Sequence, residues 1–208
     1  MSAFICRYTW RTGTDTGKRC NLGPRMEDGF CVFHSELDEE RPFPPDLCAM
    51  LEERVRRGLP FEGFRLPDAR LRRINLTGAD LAGVDLSGAD LSLCQLMKAK
   101  LAKADLTNAF LFGANLQEAD LCGAFLLGAD LAEADLFGAS LREAEAFGAD
   151  LRRANLAVAD CSRADLSEAT LSEANVNGAN FSGAKLVDAV LDGVDMSRAA
   201  SKADLGAE

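Results

Sequence analysis

The sequence predicts an all-β solenoid, a rod of short stacked strands in which each coil contains 20 residues. Between residues 61 and 196 an apolar residue recurs at every fifth position without insertion or deletion, and 22 of these 28 positions are Leu. The position two residues earlier is Ala in 22 of the 28 repeats and apolar in the others. A period of five fits neither an α-helix nor a plain strand, so each repeat is a structural unit of its own.

Each five-residue repeat is expected to form one side of a coil and one corner. In an extended segment, residues two apart point the same way, so the Ala and the Leu face inward and the residue between them faces outward. The remaining two residues turn the corner, and the second of them is Gly in 12 of the 28 repeats. Four sides close a square coil, and a coil spacing of about 4.8 Å makes seven coils a rod roughly 34 Å long.

The motif Ala-(Asp/Asn)-Leu-x-x, seen at 104–108 and 114–118, resembles the pentapeptide repeat family over about two thirds of the chain. The resemblance implies a right-handed quadrilateral β-helix and no catalysis by the repeats. The quinolone-resistance members of the family imitate DNA when they bind DNA gyrase, and they are dimers joined through a C-terminal helix. The resemblance raises both expectations for this chain. This chain departs from those members, because only the small polar stretch 197–208 comes after the last repeat.

Charge and composition restrict the class of partner. The chain has a net charge of −10, and residues 61–208 carry 14 Lys+Arg against 23 Asp+Glu, so −9 belongs to the rod and the short C-terminal tail. This acidity argues against direct nucleic-acid binding by the rod and is compatible with a basic protein partner. The sequence has neither a membrane span of about 20 apolar residues nor a signal-peptide pattern, so we expect a cytoplasmic protein.

Residues 1–40 lack the five-residue period and contain Cys6, Cys20, Cys31 and His34, the only His of the chain. Three thiolates and one imidazole are a usual ligand set for structural Zn²⁺, whose binding would supply folding free energy to a segment with little core. The stretches 17–20 and 31–34 are similar to those of small treble-clef zinc modules. The alternatives are three unrelated Cys with a surface His, Cys48 as a substitute ligand, or a catalytic zinc with an open position.

A capping helix is expected between the zinc module and the rod. Asp46 is a suitable N-cap, and Leu47, Met50, Leu51 and Val55 form an apolar stripe that predicts a helix over 47–57. Such a helix would cover the first coil, whose core and strand edges would otherwise be exposed; a free helix for a partner is the alternative. No similar stripe lies beyond the last coil, which predicts an end-to-end homodimer. The predicted divisions are 1–40 (zinc module), 41–58 (linker and capping helix), 59–199 (rod) and 200–208 (tail).

Outward carboxylates form the first candidate surface. They either imitate DNA phosphates or are the residue type that the repeat prefers for local hydrogen bonds, and the second interpretation is favoured because Lys100, Lys185 and Arg163 interrupt a negative stripe. Another outward row, which includes Asn75, Gln95 and Asn115, is expected to hydrogen-bond from coil to coil. The candidate DNA-mimic carboxylates are Asp80, Asp85, Asp90, Asp105, Asp120, Asp130, Asp150, Asp160 and Asp165.

Outward apolar residues near the middle of the rod form the second candidate surface. Contiguous exposed apolar patches usually mark interfaces, whereas rings that fold over Gly corners would be half buried. The candidate interface residues are Leu93, Met97, Phe110, Phe112, Phe125, Leu127, Phe137 and Phe147.

These observations predict a non-enzymatic binding or scaffold protein that engages a protein partner through its acidic rod and zinc module. No enzyme is expected, because the one His belongs to the zinc set and no Gly-rich phosphate loop is present. The alternative is a DNA mimic that binds DNA gyrase or another topoisomerase and protects or inhibits it.

Overall fold

A computed structural model describes residues 46–201, which form a four-sided solenoid. It contains one α-helix, α1 (Leu47–Arg56), and one 3₁₀ helix, Met196–Arg198. Between them, parallel pairing occurs as isolated single-residue bridges. The described residues contain no longer strand, because only three residues of each repeat lie between successive corners. The prediction of a solenoid is confirmed, with sides shorter than ordinary strands.

The bridges define a coil of 20 residues. Each joins an outward residue to the one 20 positions later, from Arg65↔Asp85 to Thr170↔Val190. Four rows of outward residues therefore run along the rod, and each row marks one face. The first face contains Phe125, the second Phe110, the third Asn115 and the fourth Asp120, and the chain visits the faces in the order first, second, third, fourth.

The two apolar positions of each repeat fill the interior. The Leu and Ala positions from 61 to 186 are all buried, and they form one continuous cluster. Cys94 and Cys161 occupy such positions, and burial raises the pKa of the Cys161 thiol to about 12. These cysteines are therefore neutral packing groups.

The corners depend on left-handed backbone conformation. The second corner residue of every repeat from 63 to 193 has a positive φ angle, and these residues comprise 12 Gly and 15 other residues. Gly adopts this conformation without steric cost, which explains its frequency there. Val158, with φ of 62°, is the β-branched residue among them and is exposed.

Helix α1 covers the N-terminal end of the rod. Leu47 and Leu51 are buried in the same apolar cluster as the first coil. The Glu52 carboxylate accepts the backbone N–H of Asn75 at 3.0 Å, and the Cys48 thiol donates to the carbonyl of Arg70 at 3.5 Å. These side chains replace bonds that a preceding coil would make. Asp46 is the N-cap residue, but its side chain accepts no capping hydrogen bond.

Arg54 lies inside the junction between α1 and the first coil. Its side chain is buried, its guanidinium group lies 5.5 Å from the ring centre of Phe61 and 4.9 Å from that of Phe64, and it donates to the carbonyl of Pro60. The two rings pack edge to face with centres 5.4 Å apart. Cation–π attraction and one backbone acceptor thus stabilise the buried guanidinium group of Arg54. The apolar stripe of α1 did not predict a charged residue at this junction.

The C-terminal end departs from the regular register. The 3₁₀ helix adds one residue, so Asn180 pairs with Ser201, 21 positions later. Leu191, Val194 and Met196 occupy inward positions but are only half buried. The core is therefore less completely covered at this end than under α1.

Replacing Val158 by Gly is expected to stabilise the protein by about 1 kcal/mol, because a β-branched side chain is strained at positive φ. The free energy of unfolding measured by chemical denaturation tests this. Val187 is also exposed, but its φ is not positive. Val187→Gly is the matched control and should not stabilise; equal gains in both variants would contradict corner strain at Val158.

Candidate binding surface of the rod

The repeat satisfies its five backbone N–H groups in a fixed way, illustrated by the repeat centred on Leu86. Three N–H groups donate to neighbouring coils, as Asp85 does to Phe64, Leu86 to Asp105 and Gly88 to Thr107. The next N–H closes the corner by donating back to the central carbonyl. The last, on Ser87, donates to the Asp85 side chain at 3.2 Å. An outward Asp or Asn therefore completes the hydrogen bonding of the backbone.

All 16 outward Asp and Asn residues between 65 and 195 make this contact, with N···O distances of 3.0 to 3.4 Å. The nine candidate DNA-mimic carboxylates are among them. Each has a structural role in its own corner, which supports the interpretation that the repeat selects Asp for local hydrogen bonds.

Several of these carboxylates are also paired with cations. Lys100 contacts Asp80 at 3.1 Å, Lys185 contacts Asp165 at 3.0 Å, and Arg152 contacts Asp150 at 2.5 Å. The hydrogen bond from Arg152 lowers the pKa of the Asp150 carboxyl. The negative faces are thus interrupted, as the sequence indicated.

The third face carries a ladder of stacked side chains. The amide of Asn155 donates to Asp135 at 2.9 Å, Asn175 donates to Asn155 at 2.9 Å, and Asn115 donates to Gln95 at 3.4 Å. The predicted coil-to-coil hydrogen bonds are present, and they identify this face as structural.

Exposed apolar residues concentrate on the second face and the two corners that border it. Six of the nine exposed large apolar residues among the described residues lie there, each 40% to 52% exposed: Phe110, Phe112, Leu127, Phe147, Val187 and Val190. Val187 and Val190 were not among the predicted interface residues, although the same position rule places them outward. Phe125, 40% exposed, lies on the adjoining first face.

The eight predicted interface residues are not one patch. Phe110, Phe112, Phe125, Leu127 and Phe147 lie on neighbouring sides, and Leu93 is half buried one coil before Phe112. Met97 and Phe137 lie at the corner between the third and fourth faces, diagonally opposite the corner that bears Leu127 and Phe147. These residues were grouped because they are close in sequence, but the 20-residue coil places them on different corners of the rod.

Phe110 and Phe125 occupy positions where most repeats have the capping Asp or Asn. Consequently the N–H groups of Phe112 and Leu127 have no side-chain acceptor among the described residues. A Phe at this position gives up a hydrogen bond and exposes a ring to water, so packing within the rod does not explain it.

A groove of about 380 Å³ adjoins these rings on the first face. Phe125, Leu127 and Phe147 line one part of it, and Glu145 lies in the same row as Phe125. Its other charged residues are paired, Arg163 with Glu143 at 3.3 Å and Lys185 with Asp165. Within 46–201, Glu145 has no hydrogen-bond or ion-pair partner for its carboxylate, so the groove combines apolar walls with an available negative charge.

The predicted zinc ligands Cys6, Cys20, Cys31 and His34 lie outside the described residues. Residues 46–201 contain no group of three or more His, Cys, Asp or Glu side chains placed to hold a metal ion. Cys48, the substitute ligand, is a half-buried part of α1 and contacts Arg70. No helix within the described part of the chain is long and apolar enough to cross a bilayer.

A rod with a solid apolar interior and its distinctive groups on the outer faces defines a solenoid repeat protein of the β-helix class. The chain belongs to the pentapeptide repeat family. The family model, described as pentapeptide repeats, matches in eight copies over more than half of the chain, at residues 61–92, 114–153 and 159–198.

Solved structures of three similar proteins also match. A trypsin-treated form of QnrB1, a plasmid-mediated fluoroquinolone resistance protein, is 24% identical over 65% of this chain and 76% of its own, with a TM-score of 0.35. HetL of the cyanobacterium Nostoc sp. strain PCC 7120, involved in heterocyst differentiation regulation, is 37% identical over 61% and 62%, with a TM-score of 0.22. A pentapeptide repeat protein of the Arabidopsis thaliana thylakoid lumen is 35% identical over 50% and 66%, with a TM-score of 0.23. No curated protein sequence matches the chain.

Asp105 tests the structural role of the outward carboxylates, because it caps the N–H of Thr107 at 3.0 Å and has no ion pair within the described residues. Asp105→Ala is expected to lower the free energy of unfolding by about 1 kcal/mol, the usual net value of one hydrogen bond. Asp105→Asn keeps the acceptor and should be nearly neutral. Equal losses in the two variants, measured by denaturant unfolding, would mean that charge and not hydrogen bonding matters at this position.

Proposed function

We propose that the chain is a non-enzymatic binding protein whose seven-coil rod engages a protein partner through the groove on its first face. The replacement of a capping Asp or Asn by Phe125 is the observation that carries this proposal. The substitution forgoes a hydrogen bond worth about 1 kcal/mol, and the ring of Phe125 is not part of the buried core. A residue that weakens its own fold at an exposed position is typical of a binding site.

The chemistry of the groove indicates the character of the partner. Phe125, Leu127 and Phe147 suit an aliphatic or aromatic side chain, and Glu145 offers a carboxylate beside them. A segment that presents an apolar residue next to Lys or Arg satisfies both features, with cation–π contact to a ring as an additional attraction. The net charge of −9 over 61–208 would steer such a basic segment toward the rod.

The proposal includes a second element, the zinc module. Cys6, Cys20, Cys31 and His34 would hold a structural Zn²⁺ that folds the segment before the rod, and this part rests on the sequence alone. The module would offer the partner a contact at the end covered by α1. We further propose that the protein acts in the cytoplasm. An end-to-end homodimer stays a prediction, supported by the half-buried inward residues of the last coil.

The double substitution Phe125→Asn with Leu127→Ser tests the groove. It restores the usual Asn cap and removes two apolar walls, so it is expected to raise the free energy of unfolding by about 1 kcal/mol while abolishing partner capture. Capture from cell extract, compared side by side with the unmodified chain and analysed by mass spectrometry, measures binding; denaturant unfolding measures stability.

Ser140→Asn is the matched control. Ser140 is an outward residue of the fourth face and does not line the groove, and Asn there adds a cap in the same way. It should gain stability and keep every captured protein. If the groove variant retains the same proteins as this control, the groove is not the binding site.

DNA mimicry toward gyrase is the second candidate function. It is favoured by four capped carboxylates that have neither an ion pair nor a hydrogen bond to another side chain within the described residues, Asp90, Asp105, Asp120 and Asp130. Changing all four to Asn removes four charges but keeps the caps. If the rod imitates DNA, the unmodified protein should alter supercoiling by gyrase and the Asn variant should lose most of that effect. No effect of the unmodified protein at high micromolar concentration would exclude this candidate.

A further inference from the structure

The row of outward residues on the second face places an exposed aromatic ring between two carboxylates. Phe110 follows Asp90 and precedes Asp130 in this row, and bridges join it to both on successive coils. Its ring is 52% exposed, the largest exposed fraction of any Phe among the described residues. Each carboxylate caps its own corner through one oxygen, Oδ1, and neither has an ion pair within the described part of the chain. The second oxygen of each is therefore available to an external cation.

Further apolar side chains extend this site toward the corner with the third face. Phe112 lies on that corner and is 40% exposed. Leu93, one coil earlier, is half buried and leans over Gly113, where an added Cβ atom would lie 2.8 Å from the Cδ2 atom of Leu93. The centre of the second face is thus a small apolar surface, and the charges on either side of it along the rod are negative.

Two cations lie close to this row. Arg152 donates a hydrogen bond to Asp150, and that bond, together with the nearby charge of Asp130, raises the pKa of the guanidinium group. Arg70 precedes Asp90 in the row, is exposed and has no ion-pair partner between residues 46 and 201. From the N-terminal end, the row therefore presents one cation, one carboxylate, one ring and one carboxylate to a partner.

The spacing of this row is close to one turn of an α-helix. Successive outward residues lie about 4.8 Å apart at the usual strand spacing, so Asp90 and Asp130 are separated by about 9.6 Å. In an α-helix, residues i and i+7 lie on one side about 10.5 Å apart, with i+3 and i+4 between them. Residues on one side of an extended segment repeat at about 6.7 Å, which falls out of step with the coils. A helix parallel to the rod axis places one residue against each member of the row.

We propose that the second face binds a basic amphipathic α-helix of a protein partner. Lys or Arg at i and i+7 of this helix pair with Asp90 and Asp130. Apolar residues at i+3 and i+4 cover Phe110 and Phe112, as in other complexes where a helix lays its apolar side on an apolar surface. An acidic residue one turn beyond the contact with Asp90 meets Arg70.

The charges of the row select this occupant. Nucleic acid or an acidic peptide would be repelled by Asp90 and Asp130, and an uncharged helix would leave both carboxylates without a cation. The second face is a different surface from the groove that contains Phe125. The inference therefore goes beyond the proposed function.

A designed peptide tests the match between helix and row. It is an Ala-rich helix with Arg at i and i+7, Leu at i+3 and i+4, and Glu at i−4 and i+11, so it can dock in either direction along the rod. Fluorescence anisotropy of the labelled peptide measures its binding to the unmodified full-length chain. Because the contact is small, the expected Kd is on the order of 100 µM at low salt, and it should rise as salt is added. No binding at millimolar concentration overturns the proposal.

Two altered peptides test the geometry. The first moves the second Arg from i+7 to i+5, on the other side of the helix, and the second has Pro at the centre, which breaks the helix. Each should bind at least about tenfold more weakly than the designed peptide. Equal binding of the first would show that net charge alone attracts the peptide. Equal binding of the second would show that an extended segment is the occupant. Either result overturns the proposed helix.

Variants of the second face test the site. Asp90→Asn with Asp130→Asn removes two charges but keeps both caps, and it should weaken binding about fivefold and reduce the salt dependence. Phe110→Asn restores the usual cap and removes the ring, and it should weaken binding about tenfold. Binding by these variants at the affinity of the unmodified chain overturns the proposal.

Matched controls lie on other faces. Asp120→Asn with Asp160→Asn also removes two charges and keeps two caps, but both residues belong to the fourth face, so peptide binding should stay unchanged. An equal loss in this control would indicate general attraction to the acidic rod. Phe125→Asn alters the groove of the first face and should also leave binding unchanged. If it abolishes binding, the peptide occupies the groove, which overturns this inference but leaves the proposed function standing.

Discussion

The backbone N–H group at the first corner residue is the constraint on which the rest of the rod depends. Four of the five N–H groups in a repeat donate to backbone carbonyls within the solenoid. The N–H of the first corner residue does not, because it points outward at the bend. A side chain two residues earlier is the one group near enough to accept it locally, and Asp and Asn have the required length. The polar half of the repeat motif is thus determined by backbone chemistry, as its apolar half is determined by burial.

The same constraint explains how function and stability are divided over the surface. Outward positions that keep Asp or Asn support their own corner, and the stacked amides of the third face also join successive coils. Positions that abandon the cap, as at Phe110, Phe125 and Glu145, are free to serve another molecule. These three lie on the first and second faces, whereas the uncapped positions of the third and fourth faces hold the polar residues Gln95, Lys100 and Ser140.

Much of the fold follows from the sequence because each repeat obeys the same local rules. The spacing of Leu and Ala predicted the inner positions and the coil length, and the frequency of Gly predicted the corners. Arg54 was not predictable, since its burial requires two rings and a carbonyl brought together by the fold. The candidate interface residues do not all lie on one side of the rod, because Phe137 is near Phe125 in sequence but belongs to a different corner. The sequence also did not predict that parallel pairing would be limited to single-residue bridges, because the extent of pairing depends on the three-dimensional register of neighbouring coils.

The 20-residue register has an evolutionary consequence. Gain or loss of four repeats would lengthen or shorten the rod while every later residue kept its face. Gain or loss of a single repeat, by contrast, would rotate all subsequent outward residues by a quarter turn and leave the inner Leu and Ala undisturbed. A duplication of 15 nucleotides within the gene would then rearrange the whole outer surface in one event at little cost to the core. Pentapeptide rods can in this way acquire new combinations of surface groups without any point substitution.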